Sequence, residues 1–68
     1  MITYEIRERV ETTKGNRMET THIFQEPEYD HRMATIHYLE VVKRYPTRYF
    51  ELVKVETKET CLEFTKDR

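Results

Sequence analysis

Four side chains in this sequence have the chemistry to hold a transition metal: His22, His31, His37 and Cys61. Their spacing argues against it. His31 and His37 are six apart, which on a helix turns them about 120° away from each other. A shared ion instead wants ligands three or four apart, and no CxxC or HxxxH pair exists. Histidines at a surface or a helix margin are the ordinary reading, so no metal is expected.

Covalent catalysis fares no better. The chain contains no serine. Cys61 falls inside a predicted strand, where a buried, inert thiol is the usual occupant and an activated thiolate is not. Thirteen acids are present, but none lies in apolar surroundings that would raise its pKa into general-acid range. A single glycine cannot build a phosphate-cradling loop. A domain this small rarely encloses a substrate cavity of several hundred Å³. The chain reads as non-enzymatic, with no catalytic residue, cofactor or small-molecule substrate.

Phosphate recognition has more to recommend it. Arg7, Arg9, Lys14 and Arg17 fall on one predicted hairpin, and Lys43-Arg44-Tyr45-Pro46-Thr47-Arg48-Tyr49 interleaves cations with aromatic rings, as single-strand stacking sites do. Against this, Glu5, Glu11 and Glu19 interrupt the hairpin's cations, and Tyr45 is expected on a buried helix face. Twelve basic residues balance 13 acidic ones, a net charge of −1, where a nucleic-acid binder usually carries a basic excess. Nucleic-acid binding through Arg7, Arg9, Lys14, Arg17 and Arg48 is therefore the alternative reading.

These residues need elements to position them. Residues 2–11 alternate, with Ile2, Tyr4 and Ile6 against Thr3, Glu5, Arg7 and Arg9, the period of a half-buried strand. A turn at Thr12–Asn16 follows, with Gly15 and Asn16 the residues most tolerant of positive φ. The return strand spans 17–25, with Met18, Thr20, His22 and Phe24 on one face and Arg17, Glu19, Thr21 and Ile23 on the other. A helix starts near Pro27 or is capped by Asp30, with its body over 29–45. It puts Ala34, Tyr38, Val41, Val42 and Tyr45 in one sector, Leu39 at the margin, and Arg32, Ile36, Glu40 and Lys43 opposite. Pro46 stops it.

Residues 49–57 give the strongest strand signal, apolar on both flanks: Phe50 and Leu52 on one, Tyr49, Val53 and Val55 on the other. Such a strand belongs in the middle of a sheet. A turn near Lys58-Glu59 and a last strand over 61–65 complete the chain, and Lys66-Asp67-Arg68 is expected to fray. The expected fold is one α+β domain spanning residues 1–68, ββαββ, a four-stranded antiparallel sheet in spatial order 2-1-3-4 with one helix on one face.

A chain of 68 residues buries only about 60% of its unfolded surface and has a thin stability margin. Cys61 alone cannot form an internal disulfide and points to a reducing compartment. No stretch reads as a signal peptide or approaches the roughly 18 apolar residues of a membrane span, so a cytoplasmic location without membrane contact is expected. One helix cannot cover both flanks of the third strand. A protein partner or a second copy of the chain is therefore the expected binder, at Ile23, Tyr49, Val53 and Val55 on the helix-free face.

The stretch Tyr38 to Val55, Tyr-Leu-Glu-Val-Val-Lys-Arg-Tyr-Pro-Thr-Arg-Tyr-Phe-Glu-Leu-Val-Lys-Val, resembles the helix–proline–strand segment of small accessory proteins encoded by bacteriophages or prophages. The resemblance covers about a quarter of the chain and includes no catalytic motif. It implies a small host- or defence-modulating protein that acts by binding.

Overall fold

The computed structural model describes residues 1–65, and the expectation for Lys66-Asp67-Arg68 lies outside them. Strands β1 (Thr3–Thr12) and β2 (Gly15–Gln25) form a hairpin, helix α1 (His31–Arg44) follows, and β3 (Phe50–Val55) and β4 (Glu59–Phe64) form a second hairpin. The sheet is antiparallel, in the order β2-β1-β3-β4. It is the expected ββαββ arrangement of the α+β class.

The first turn depends on Gly15, whose φ of 118° is the only positive one among the described residues. Asn16 lies within β2, so the conformational freedom expected of both residues is used by one. The Thr12 hydroxyl donates to the Gly15 carbonyl at 2.6 Å and accepts from the Lys14 amide at 3.2 Å, which closes the loop.

Helix α1 begins later than the first of its two sequence signals. Asp30 is the cap, its Oδ1 accepting the Met33 amide at 2.9 Å. Pro27 instead lies in the preceding turn, held by the Tyr29 amide donating to the Gln25 carbonyl. Lys43 and Arg44 in the last turn complement the carbonyl end of the helix dipole.

Ala34 and Tyr38 of α1 pack on Tyr4 and Ile6 of β1 and on Phe50 and Leu52 of β3, with Ile2, Phe24, Val41, Val42 and Leu62 around them. Ile6 and Leu52 have no solvent exposure, and each contributes about 1.5–3 kcal/mol by burial. The Tyr38 hydroxyl donates to the Phe50 carbonyl at 3.3 Å, satisfying the one polar atom this ring brings into the core. One member of the expected buried sector, and the residue at its margin, sit further out. Leu39 is exposed, and so is Tyr45, whose ring lies beside Phe50 and beneath the Arg48 guanidinium.

Regular alternation breaks in both edge strands. Ile6 pairs with His22 but Arg7 pairs with Thr20, so Thr21 is an extra residue in β2, with its hydroxyl on the Ile6 carbonyl at 3.1 Å. Met18 and Thr20 therefore share the helix-free face with Ile23 and are parted from His22 and Phe24, which corrects the face assignment made from alternation. Leu52 pairs with Glu63 while Val53 pairs with Cys61, a matching irregularity at Leu62. Bulges of this kind twist an edge and discourage a further strand from adding to it.

Candidate functional site

The helix-free face carries a chain of polar contacts that joins residues of β2, β1 and β4. On this face Thr20 of β2 donates to Glu5 of β1 at 3.0 Å. Arg7, two residues along β1, donates from Nε to the same carboxylate at 3.1 Å. Its two terminal nitrogens then reach Glu59 at the start of β4, at 3.1 and 2.7 Å. Since β3 lies between β1 and β4, the Arg7 side chain must cross β3. It starts in the row of Glu51 and ends in the row of Val55, so it passes over Val53.

This crossing explains the burial of Val53, which is 3% exposed although it belongs to the face without a helix. An arginine stem covers apolar surface while its guanidinium stays with carboxylates. The arrangement corrects the expectation that Val53 is open to a partner: its flank is sealed within one subunit. Of the other residues expected at a contact surface, Tyr49 and Val55 are half-buried. Only Ile23, at 62% exposure, projects freely.

Tyr49 is fixed from two sides. The Arg9 guanidinium lies 4.3 Å from its ring centre, and its hydroxyl donates to Glu51 at 2.9 Å. Burial and that hydrogen bond push its pKa up to about 12. Tyr4, on the other side of the sheet, donates to Glu26 at 2.6 Å and is raised to about 12 by burial and the same kind of bond. Both phenols therefore keep their protons at neutral pH, each donating to a neighbouring carboxylate.

Most of the cations considered for nucleic acid have partners of their own. Arg7 is held by Glu5 and Glu59, Arg17 by Glu19, and Arg48 by Glu8 at 3.7 Å with Tyr45 beneath it. Arg9 is stacked on Tyr49, and Lys14 stands at the tip of the hairpin. The five do not converge on one basic surface, because carboxylates are interleaved with them.

Cys61 is exposed, which corrects the expectation of a buried thiol: its strand position faces the helix-free side at an edge. Partial desolvation of the sulfur and the nearby Glu51 carboxylate raise its pKa, the opposite of what a nucleophile needs. Among the described residues no group of three or more His, Cys, Asp or Glu could hold a metal ion, and no helix is long and apolar enough to cross a membrane.

Two features escaped the sequence. The first is an open groove of about 400 Å³ between α1 and β2, lined by His22, His37, Glu40, Val41, Arg44 and Tyr45. Two of these residues stack on the Phe24 ring, His37 at 4.9 Å and His22 at 6.1 Å. The helix lies over β1 and β3, which leaves the helix-side residues of β2 only partly roofed. Sequence separation hid the pairing of His22 with His37, which required knowing where the helix sits.

The second is an apolar stripe on the outer side of α1, where Met33, Ile36 and Leu39 are 41%, 49% and 56% exposed. The sequence places Ile36 on this outer side, but it sets Leu39 at the margin of the inward sector, so the stripe is not evident from it. Compared with protein-family models, curated proteins and solved structures, the chain matches none.

Proposed function

We propose that this protein is a non-enzymatic protein-interaction module working in the cytoplasm, in keeping with its resemblance to small phage- or prophage-encoded accessory proteins. One observation carries the reading. Seven apolar residues form the buried core, while eight large apolar side chains are at least 40% exposed among the described residues. So even a balance is uneconomical for a small domain unless part of that surface is covered in use.

On the sheet side the contact centres on Ile23, with Met18 on the same face of β2. Both lie at the border of the polar chain formed by Thr20, Glu5, Arg7 and Glu59. An apolar anchor beside fixed charges suits a protein surface of matching pattern. The bulge at Thr21 directs recognition to side chains, not to strand addition.

The test is capture from host cytosol on immobilised protein, run in parallel with Ile23→Lys. Loss of a captured partner with the variant, at unchanged circular dichroism, is the expected result. Identical capture by both forms would refute Ile23 as the anchor, and no capture by either would remove the reading.

A further inference from the structure

We propose that the groove between α1 and β2 binds a free α-amino acid with an aromatic side chain, its ammonium on Glu40 and its carboxylate on Arg44. The volume of about 400 Å³ falls at the small end of the roughly 300–1,000 Å³ usual for small-molecule sites. Two charges in the wall select the ligand. Glu40 and Arg44 stand four apart on α1 with the acid nearer the N-terminus, the spacing and order that best suit a helix ion pair. They do not pair with each other, and among the described residues neither has a hydrogen bond, an ion pair or a ring contact. The arginines of the sheet differ in this respect, since Arg7 and Arg17 are held by carboxylates and Arg9 is stacked on Tyr49.

A groove with one anion and one cation, neither engaged, favours a molecule that carries both charges. A simple anion on Arg44 would meet the Glu40 carboxylate, and a simple cation on Glu40 would meet the Arg44 guanidinium. An ammonium and a carboxylate on one carbon satisfy the two together, each through a charge-assisted hydrogen bond. Direct pairing of Glu40 with Arg44 is a weak competitor, because an exposed pair one helical turn apart contributes little.

The rest of the lining suits an aromatic side chain. Val41 packs on the core and presents the remainder of its surface, and Tyr45 is 40% exposed. His37 is fixed by ring contacts with Phe24 and Tyr29, so a flat surface is ready before binding. The Thr21 hydroxyl lies 3.0 Å from Nδ1 of His22, which leaves Nε2 as that ring's remaining polar atom. The groove is open and the ligand small, so the dissociation constant is on the order of 1 mM. The groove lies on the helix side of the sheet and Ile23 on the other, so either reading can fail without the other.

Titration of the nitrogen-15-labelled full chain with phenylalanine to about 10 mM, followed by amide chemical shifts, tests it. Saturable shifts clustered around His22, His37, Val41 and Tyr45 are expected. 2-Phenylethylamine, which lacks the carboxylate, and 3-phenylpropanoate, which lacks the ammonium, should each bind at least about tenfold more weakly. In Arg44→Gln the preference for phenylalanine over 2-phenylethylamine should vanish, while that over 3-phenylpropanoate remains. Glu40→Gln should show the reverse, and both variants should melt with the wild type. No saturable shift, shifts centred elsewhere, an analogue that binds as tightly as phenylalanine, or variants that keep both preferences would overturn the proposal.

Discussion

Arg7 Nη2 lies 2.7 Å from Glu59 Oε1, a contact between the second and fourth strands of the sheet's spatial order that spans the strand between them. Its main effect is on the residue beneath it. An isolated ion pair at a sheet surface contributes little, but a stem that excludes water from a valine contributes through burial. Arg7→Ala should therefore destabilise the domain by about 1–2 kcal/mol, while Arg7→Met, which keeps the stem and loses the charge, should cost less than half of that. Denaturant unfolding of the two variants separates cover from charge. Equal losses would show that the ion pair dominates.

Val53 and Ile23 share a face, yet they should respond oppositely to the same substitution. Val53→Lys forces an ammonium under the Arg7 guanidinium, and should cost about 3 kcal/mol or more, a large part of what a domain of this size has to lose. Ile23→Lys should change stability by no more than about 0.5 kcal/mol. Thermal melts read by circular dichroism would show one collapsed variant and one of wild-type stability.

Stability should decline at both ends of the pH scale, for separate reasons. Arg7 holds the Glu59 carboxylate below its usual pKa by hydrogen bonding and charge. Its contribution is present above the ordinary carboxylate value and is lost as pH falls through the lowered one. Tyr4 and Tyr49 are raised to about 12, so their contribution is intact below the ordinary phenol value near 10. It is lost as pH rises from there to about 12, because only the unfolded chain ionises in that interval. Tyr4→Phe should flatten the alkaline limb and Glu59→Gln the acid one, as measured by urea midpoints across pH.

Much of this architecture was legible because local signals agreed. The alternation of Ile2, Tyr4 and Ile6, the single glycine, the Asp30 cap, Pro46 and the doubly apolar run at Phe50–Val55 all pointed to one topology. What misled was the assumption that faces stay in phase. The extra residue at Thr21 reverses the alternation of β2, and no side chain there announces it. The fate of Val53 was also hidden, since alternation says which face a residue occupies and not which distant arginine lies across it. Exposed Leu39 and Tyr45 show the same limit for the helix, whose inward sector is narrower than its apolar one.

Asp30 supplies one of the few bonds that fix where α1 begins. Asp30→Ala leaves the Met33 amide without its acceptor and should cost about 1 kcal/mol. In a domain of this size that is a fall of about 5 °C in Tm. Asp30→Ser, which restores an acceptor oxygen, should recover most of it. A variant that melts with the wild type would mean that packing of Ala34 and Tyr38 alone sets the helix start.

For nucleic acid, the arrangement of charges makes a quantitative forecast. Binding to phosphates gains from released counterions only where a cation is available to them, and each such contact steepens the salt dependence of affinity by about one in the logarithmic slope. Arg7, Arg17 and Arg48 already face Glu5, Glu59, Glu19 and Glu8, so engaging a phosphate means giving up a carboxylate that would itself repel the strand. Fluorescence anisotropy with single- and double-stranded probes at low salt should show no saturable binding at micromolar protein. A saturable signal with a slope near five, lowered by about one in Lys14→Ala, would instead establish the hairpin as a phosphate-binding surface. The interleaved carboxylates would then have to be displaced on binding, and Glu19→Gln would tighten the complex.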